Sequence, residues 1–283
     1  MSRNKQRTAA ATDAVAATAP TTPAAPASLS YVTPTEFVEL PSRGQFYPTD
    51  HPLHGKDVIE MRFMTAKDED ILTSPALLKK GVAIDRLLQN LVVDSNVNPN
   101  NLLIGDKNAM LLAARISGYG EEYPVALQCN SCGETIEHQF NLSELELDHG
   151  TQPEGDNSVS LTERGTFVAE LPKTKFSAEF RLLTGEDETY LQQSLEKLKK
   201  YNLPEASATN LLKRLVVSVN GVEVPSDISN FIDNMPAQDA RFLRACVQVV
   251  TPNINMSQEV ECSSCGAVTE MEVPFTSEFF WPQ

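Results

Sequence analysis

Two short cysteine motifs constrain this chain more than any other feature. Cys129 and Cys132 enclose two residues and are followed by a glycine, and Cys262 and Cys265 repeat the arrangement. A Cys-x-x-Cys turn brings two thiolates close enough to share one ion, and Zn²⁺ prefers four such ligands in a closed structural site. The sequence therefore predicts one zinc ion bound by all four cysteines, which would tie the middle of the chain to its end.

The same spacing also occurs in redox-active dithiols and is compatible with a disulfide. A redox motif follows a strand and opens a helix, whereas apolar residues recur at every second position around both motifs, as at Val125, Leu127 and Val260. This alternation favours two β-hairpins with the cysteines at their tips and hence structural zinc, with the disulfide and the redox dithiol as alternatives. Cys246 lies on an apolar helical stripe and is interpreted as a small buried hydrophobic residue.

The segments that precede the two motifs resemble one another in the same order. The matched pairs are residues 38–41 with 169–172, 59–65 with 178–184, and 87–93 with 211–217. We therefore predict an α+β fold made of two tandem copies of a strand–helices–zinc-hairpin unit. The two copies would be joined through the four-cysteine zinc ribbon and related by a pseudo-two-fold axis, with the helices outside.

Each copy contains signals for the same helices. Thr65 and Thr184 each stand three residues before an aspartate, which predicts a capped helix start. Apolar stripes then predict a second helix, and the stripe in the second copy continues as far as Val219. A third helix is predicted at about 108–116 and again at about 237–249.

The domain boundaries follow from these repeats and from composition. Residues 1–30 are rich in Ala, Thr and Pro without apolar periodicity, which predicts a disordered tail. Residues 31–148 form the first repeat with its zinc knuckle, 149–165 an acidic linker, and 166–283 the second repeat with its knuckle. About 110 residues per repeat suits the usual size of a domain.

Charge excludes some classes of partner. The chain of 283 residues has a formal net charge of −15, and a nucleic-acid surface would require clustered Lys and Arg. The one dense basic cluster after the first thirty residues, Lys197, Lys199 and Lys200, is interpreted as a solvated helix face. We expect no nucleic-acid partner and, without a long apolar run, no membrane span. An intracellular location is expected, where thiols stay reduced.

The sequence lacks the motifs of common catalytic sites. No phosphate-binding glycine loop, nucleophile elbow or His-Glu-x-x-His motif is present. The four histidines are scattered, and no pair of carboxylates has a context that marks an acid and a base. We therefore expect a protein that is not an enzyme and has no catalytic residues.

Residues 39–48, with Leu40, Pro41, Ser42 and Gly44, followed by the 59–69 segment, resemble the opening of the T-even-like myophage baseplate hub proteins. In that family a Leu-Pro-Ser-x-Gly stretch precedes a strand with an arginine and a Thr-x-x-Asp helix start. The similarity covers about residues 36–140, and the second copy lacks the Ser-x-Gly turn.

The resemblance implies a non-enzymatic hub subunit, or a hub and tape-measure assembly factor, that binds other phage tail proteins. It would act in the host cytoplasm during assembly, and the tail baseplate of the virion is its second expected location. A zinc-ribbon adaptor in transcription or nucleic-acid handling is the alternative, for which a basic stripe beside a knuckle would be required.

One segment is predicted to contact a partner. It is rich in turn residues, lies outside the periodic elements and carries two adjacent aromatic residues. The predicted contact residues are Leu40, Pro41, Ser42, Gly44, Phe46 and Tyr47. The alternative is that both rings cover the core of the first copy.

Overall fold

The computed structural model describes residues 32–150, 159–200, 207–274 and 277–280. The predicted tail, residues 1–30, lies outside these ranges. So does most of the acidic part of the predicted linker, residues 151–158.

The first half of the chain places strands at both of its ends and helices between them. Its elements are β1 (Thr35–Glu39), β2 (Val58–Arg62), α1 (Ala66–Leu72), α2 (Pro75–Lys79), α3 (Ala83–Leu91), α4 (Ile104–Tyr119), β3 (Glu122–Gln128), β4 (Thr135–Asn141) and β5 (Leu147–Asp148). Strand β1 pairs antiparallel with β2, and β3 pairs antiparallel with β4. Short 3₁₀ turns at Pro99–Asn101 and Leu142–Glu144 precede α4 and follow β4.

The second half repeats much of this order with a larger sheet. Its elements are β6 (Val159–Leu161), β7 (Phe167–Glu170), β8 (Ser177–Phe180), α5 (Gly185–Lys200), α6 (Ser207–Leu215), β9 (Val216–Val219), α7 (Pro225–Asn234), α8 (Ala237–Val250), β10 (Asn253–Ile254), β11 (Ser257–Glu261) and β12 (Val268–Glu272). Strands β6, β7, β8 and β9 form one antiparallel sheet in that order, and β11 pairs with β12. This mixture of helices and small antiparallel sheets confirms the α+β class.

Two details differ from the sequence-based expectation. The end of the predicted 149–165 linker is a strand, β6, which pairs with β7. The helix expected to continue to Val219 ends at Leu215, and the β-branched residues that follow form β9 beside β8. Valine loses side-chain freedom in a helix and packs well in a sheet, so the apolar run changes its structure at Val216.

Helix α4 is the element around which both halves pack. Its buried residues occur on all sides of the helix, from Gly105 to Arg115. A side chain at Gly105 would collide with the backbone oxygen of Pro252, which lies just before β10. The Lys107 ammonium is also buried and forms ion pairs with Asp85 at 3.0 Å and with Glu188 of α5 at 3.3 Å. The first half is therefore packed closely against the second through this helix.

Each half contains a buried aspartate that joins a strand to the helix after it. The Asp68 carboxylate accepts two hydrogen bonds from Arg62, at 2.7 and 2.8 Å, and one from the Thr65 backbone N–H. Asp187 accepts the same bonds from Arg181 and Thr184, with Arg214 as a further cation at 2.9 Å.

A second buried aspartate in each half joins the turn after the first strand to a later helix. Asp106, in the first turn of α4, accepts hydrogen bonds from the backbone N–H and the hydroxyl of Ser42. Asp239, in the first turn of α8, accepts bonds from the backbone N–H groups of Lys173 and Thr174. The two contacts are alike: in each half, a turn after a strand donates backbone N–H groups to an aspartate in the first turn of a later helix.

The Asp68 ion pair gives a prediction about acid stability. Burial by itself raises the pKa of Asp68, but hydrogen bonds from Arg62 and Thr65 lower it more, from 3.8 to about 2. A lowered pKa means that the ionised carboxylate stabilises the fold above pH 3.8, and that this contribution is lost as the pH falls through about 2. We expect Asp68→Asn to lower the free energy of unfolding by about 2 kcal/mol at pH 7.

Urea unfolding at pH 7, 4 and 2 measures this effect. The difference between the native chain and Asp68→Asn should shrink between pH 4 and pH 2. Asp70→Asn, on the exposed side of the same helix, serves as the control and should change stability by less than about 0.5 kcal/mol. Equal stability of the native chain and Asp68→Asn at pH 7 would contradict the assignment.

Candidate metal centre

Two hairpins carry the four cysteines of the predicted zinc site. Cys129 and Cys132 lie in the tip between β3 and β4, and Cys262 and Cys265 lie in the tip between β11 and β12. Both tips have the same backbone hydrogen bond. The Gly133 N–H donates to the Cys129 carbonyl at 2.9 Å, and the Gly266 N–H donates to the Cys262 carbonyl at 2.8 Å. Gly133 and Gly266 have φ angles of 76° and 68°, the left-handed region that glycine adopts without strain.

The structure brings the four sulfur atoms together although the hairpins are far apart in sequence. The Cys129 and Cys265 Sγ atoms are 3.9 Å apart, and those of Cys132 and Cys262 are 3.8 Å apart. All four sulfur atoms lie within 4.8 Å of one another. Ligands at about 2.3 Å from a tetrahedral zinc ion are separated by about 3.8 Å. The spacing therefore fits a tetrahedral metal site and is much longer than a disulfide bond, which is about 2.05 Å.

The backbone of the first tip favours a thiolate. Hydrogen bonds from the backbone N–H groups of Cys132 and Ser131 lower the pKa of Cys129 from 9.0 to about 6. A hydrogen bond from the Glu134 N–H also lowers the pKa of Cys132. Burial and the neighbouring thiols outweigh it and raise that pKa to about 12. Four thiols this close oppose one another's ionisation, and a divalent cation at their centre would remove that opposition.

Four protein sulfur ligands would leave no open coordination position. Catalytic zinc sites in proteins keep one position for water or substrate, whereas structural sites are closed. The donor set thus suits a cross-link between the hairpins. The fifth cysteine, Cys246, is buried in α8 away from the cluster. Burial raises its pKa, which suits a hydrophobic packing role.

The six residues predicted to contact a partner lie mostly inside the fold. Leu40, Pro41, Ser42, Gly44 and Tyr47 are buried, and Phe46 is half-buried against Phe167 at a ring distance of 5.3 Å. Gly44 has a φ of 67°, and a side chain there would collide with the backbone of Leu53. These positions therefore serve the chain's own packing in this structure, and a role in partner contact stays a prediction.

The Tyr47 hydroxyl explains why this segment is ordered. It donates to Asp106 at 2.7 Å and accepts from the Leu103 N–H at 3.0 Å. Burial and the Asp106 charge raise the pKa of Tyr47, and burial also raises the pKa of Asp106. The residues around Asp106 do not mark this contact in the sequence, and the similar place of Asp239 near the start of α8 is the signal that could have found it.

Arg115 is a second structural residue that the sequence analysis missed. Its buried guanidinium donates to the backbone oxygens of Phe279, Gly120 and Glu122, at 2.7, 2.8 and 3.2 Å. It also lies 5.7 Å from the centre of the Tyr123 ring. Arginine donates in several directions at once, so this one side chain ties the C-terminal 3₁₀ turn, Ser277–Phe280, to the end of α4 and the start of β3.

In the part of the chain that the structure describes, no helix combines the length and the apolar character needed to cross a membrane.

Comparison with known proteins gives one family. The model of the family described as "T4 bacteriophage base plate protein" matches residues 34–281. No curated protein and no solved structure shows a significant match. The match covers both halves and both cysteine hairpins, well over half of the sequence, and the chain therefore belongs to the T4 bacteriophage base plate protein family.

Proposed function

We propose that the chain is a non-enzymatic phage protein that acts by binding other baseplate proteins, either as a hub subunit or as a factor in hub and tape-measure assembly. The observation that carries the proposal is the family match over residues 34–281, which spans the four-cysteine cluster. Such a protein acts in the host cytoplasm during assembly and has its place in the tail baseplate. Its partners are other tail and baseplate proteins.

The proposal includes one Zn²⁺ per chain, with Cys129, Cys132, Cys262 and Cys265 as ligands. Sulfur separations of 3.8 and 3.9 Å between the two hairpins support it. A closed site of this kind supplies stability and leaves no position for a reacting molecule. The metal would hold together two hairpins that each consist of two strands, an arrangement that is marginally stable alone.

We further propose that the two halves are tandem copies of one unit, each ending in a zinc hairpin. The matched Asp68 and Asp187 ion pairs support this view, as do the matched Asp106 and Asp239 contacts. Within the proposal, the zinc ion joins the corresponding ends of the two copies. A baseplate protein built in this way offers partners a rigid surface, since the metal and the Lys107–Glu188 ion pair both join the two halves.

The zinc site can be tested by metal analysis. We expect the purified, reduced and metal-replete chain to contain one zinc per chain by elemental analysis. Cys262→Ser should lose the metal and lower the melting temperature by about 10 °C or more, because the ion stabilises only the folded form.

The fifth cysteine provides the matched control. Cys246→Ala removes a thiol from a buried helix position and should keep one zinc per chain, with only the moderate loss of stability expected of a core substitution. A chain without zinc under replete conditions, or a Cys262→Ser variant with unchanged zinc content, would disprove the site.

The role in the baseplate can be tested on phage particles. We expect mass spectrometry of purified tails to detect the chain if it is a hub subunit. If it is an assembly factor, it should be found bound to hub or tape-measure proteins in lysate from infected cells and be missing from finished tails. A chain found in neither sample would argue against a role in the baseplate.

A further inference from the structure

Strand β1 has one paired edge and one open edge. Among the described residues, β2 is the only strand that pairs with β1. The corresponding strand of the second half, β7, is paired on both sides, with β8 on one edge and β6 on the other. The two halves therefore differ at this edge: the edge that β6 covers in the second half carries no described strand in the first.

The backbone groups at this edge are aligned for pairing. Hydrogen bonds from Leu40 N to Asp57 O and from Phe63 N to Pro34 O place the even-numbered residues of this stretch against β2. Because antiparallel pairing alternates along a strand, the N–H and C=O groups of Thr35, Phe37 and Glu39 point to the open edge. In the second half, the Thr162 N to Thr166 O bond sets the same alternation, and Val168 faces Ser160 of β6.

Phe37 is the most exposed aromatic side chain on this edge. It lies opposite Glu60 on the outer face of the pair and is 71% exposed. An exposed edge strand with a large apolar residue is a surface that proteins usually cover. The position of Phe37 in the middle of the strand makes it the natural centre of a contact.

The chain's own preceding segment is poorly suited to cover the edge in the way that β6 covers β7. The β6–β7 turn uses Gly165 at a φ of 75°, with its N–H bonded to Thr162 O at 3.1 Å. No glycine occurs before Gly44 in this sequence, and residues 32–34 have no positive φ. Glycine adopts this φ without strain, so the same turn before β1 would strain another residue type. Lys175, at a φ of 58° in the turn between β7 and β8, is such a residue.

The chemistry beside the edge is acidic. Glu39 is exposed at the end of β1. Glu36 points to the inner side, where its side chain is hydrogen-bonded with Ser117 and its Oε1 atom is buried without a further partner in the part of the chain described. A basic residue of an added strand on this face could donate to that oxygen. A second copy of this chain is a less favourable occupant, because two chains that each carry a net charge of −15 repel one another.

We propose that the open edge of β1 binds an extended, basic segment of another baseplate protein, which adds a strand to the β1–β2 pair. Main-chain hydrogen bonds to Thr35, Phe37 and Glu39 supply the affinity. The bound segment carries a basic residue opposite Glu36, apolar residues opposite Phe37 and Val38, and a second basic residue opposite Glu39. This inference rests on the proposed function as a protein-binding baseplate component and names the chemistry of its partner.

A short peptide with this pattern tests the proposal on the full, zinc-loaded chain. The peptide Lys-Ile-Val-Lys-Thr carries this pattern, with its first Lys opposite Glu39, its Val opposite Phe37 and its Thr opposite Thr35 in antiparallel pairing. A fluorescent, acetylated form of this peptide is the probe. We expect saturable binding by fluorescence anisotropy, with slowed hydrogen exchange at the Phe37 and Glu39 amides. A peptide methylated at the valine nitrogen loses the bond to Phe37 O and should bind at least about tenfold more weakly. A peptide with Glu in place of both Lys residues should also bind more weakly.

Two protein variants complete the test. Phe37→Ser should keep the melting temperature, because the ring is exposed, and should weaken peptide binding. Val268→Ser changes a residue that is 59% exposed on another two-stranded pair, β11–β12, and should leave binding unchanged. The proposal is overturned if the probe does not bind, or if the methylated peptide binds equally well.

The other possible occupants give distinct results. A dimer in sedimentation that Phe37→Ser abolishes would make a second copy the occupant, and peptide binding that appears only after deletion of residues 1–31 would make it the chain's own segment. Either result overturns the proposal. The mass-spectrometry test of the baseplate role does not use the peptide. The proposal about the β1 edge can therefore be disproved while the proposed baseplate role is upheld.

Discussion

Buried carboxylates at helix N-termini determine how this chain holds its elements together. Asp68, Asp106, Asp187 and Asp239 are all buried, and each lies in the first turn of a helix. A carboxylate at that place interacts favourably with the free N–H groups and the dipole of its helix. Removed from water, it also requires partners from elsewhere. For Asp68 and Asp187, those partners lie just before the helix in the chain. For Asp106 and Asp239, they lie in a turn that follows a much earlier strand. Each aspartate therefore fixes one strand or turn against a helix.

The four cysteines lie in the hairpin near the end of each half, away from the aspartates at the helix N-termini. Every hairpin there has only two strands, and such a pair is marginally stable alone. The β3–β4 hairpin is held at its base by Arg115, through the backbone oxygens of Gly120 and Glu122, and at its tip by the cysteines that face the other hairpin. The same arginine bonds to Phe279 O, so the C-terminal segment is anchored to the base of the first hairpin. With the proposed zinc ion at the tip, base and tip together would leave the hairpins little freedom to separate.

Sequence patterns predicted the elements that local chemistry determines, and missed those that depend on the tertiary fold. The hairpins around Cys129 and Cys262 were predicted from period-two alternation, and the structure confirms them. The helix predicted through Val216 is wrong there, because a short apolar run has no period of its own and the neighbouring β8 decides its conformation. The burial of Tyr47 depends on Asp106, far along the chain, and no local signal marks that pairing.

The two halves share several contacts and differ at one exposed strand edge. The shared contacts are those that hold the fold together: the arginine–aspartate pairs, the hydrogen bonds of Asp106 and Asp239 to a turn, and the cysteine tips. The strand that covers β7 has no described counterpart beside β1. Phe37, 71% exposed in the middle of this edge, contributes little to the core of its own chain. If the proposed binding edge is used, this strand would take up a segment of a neighbouring protein by main-chain pairing.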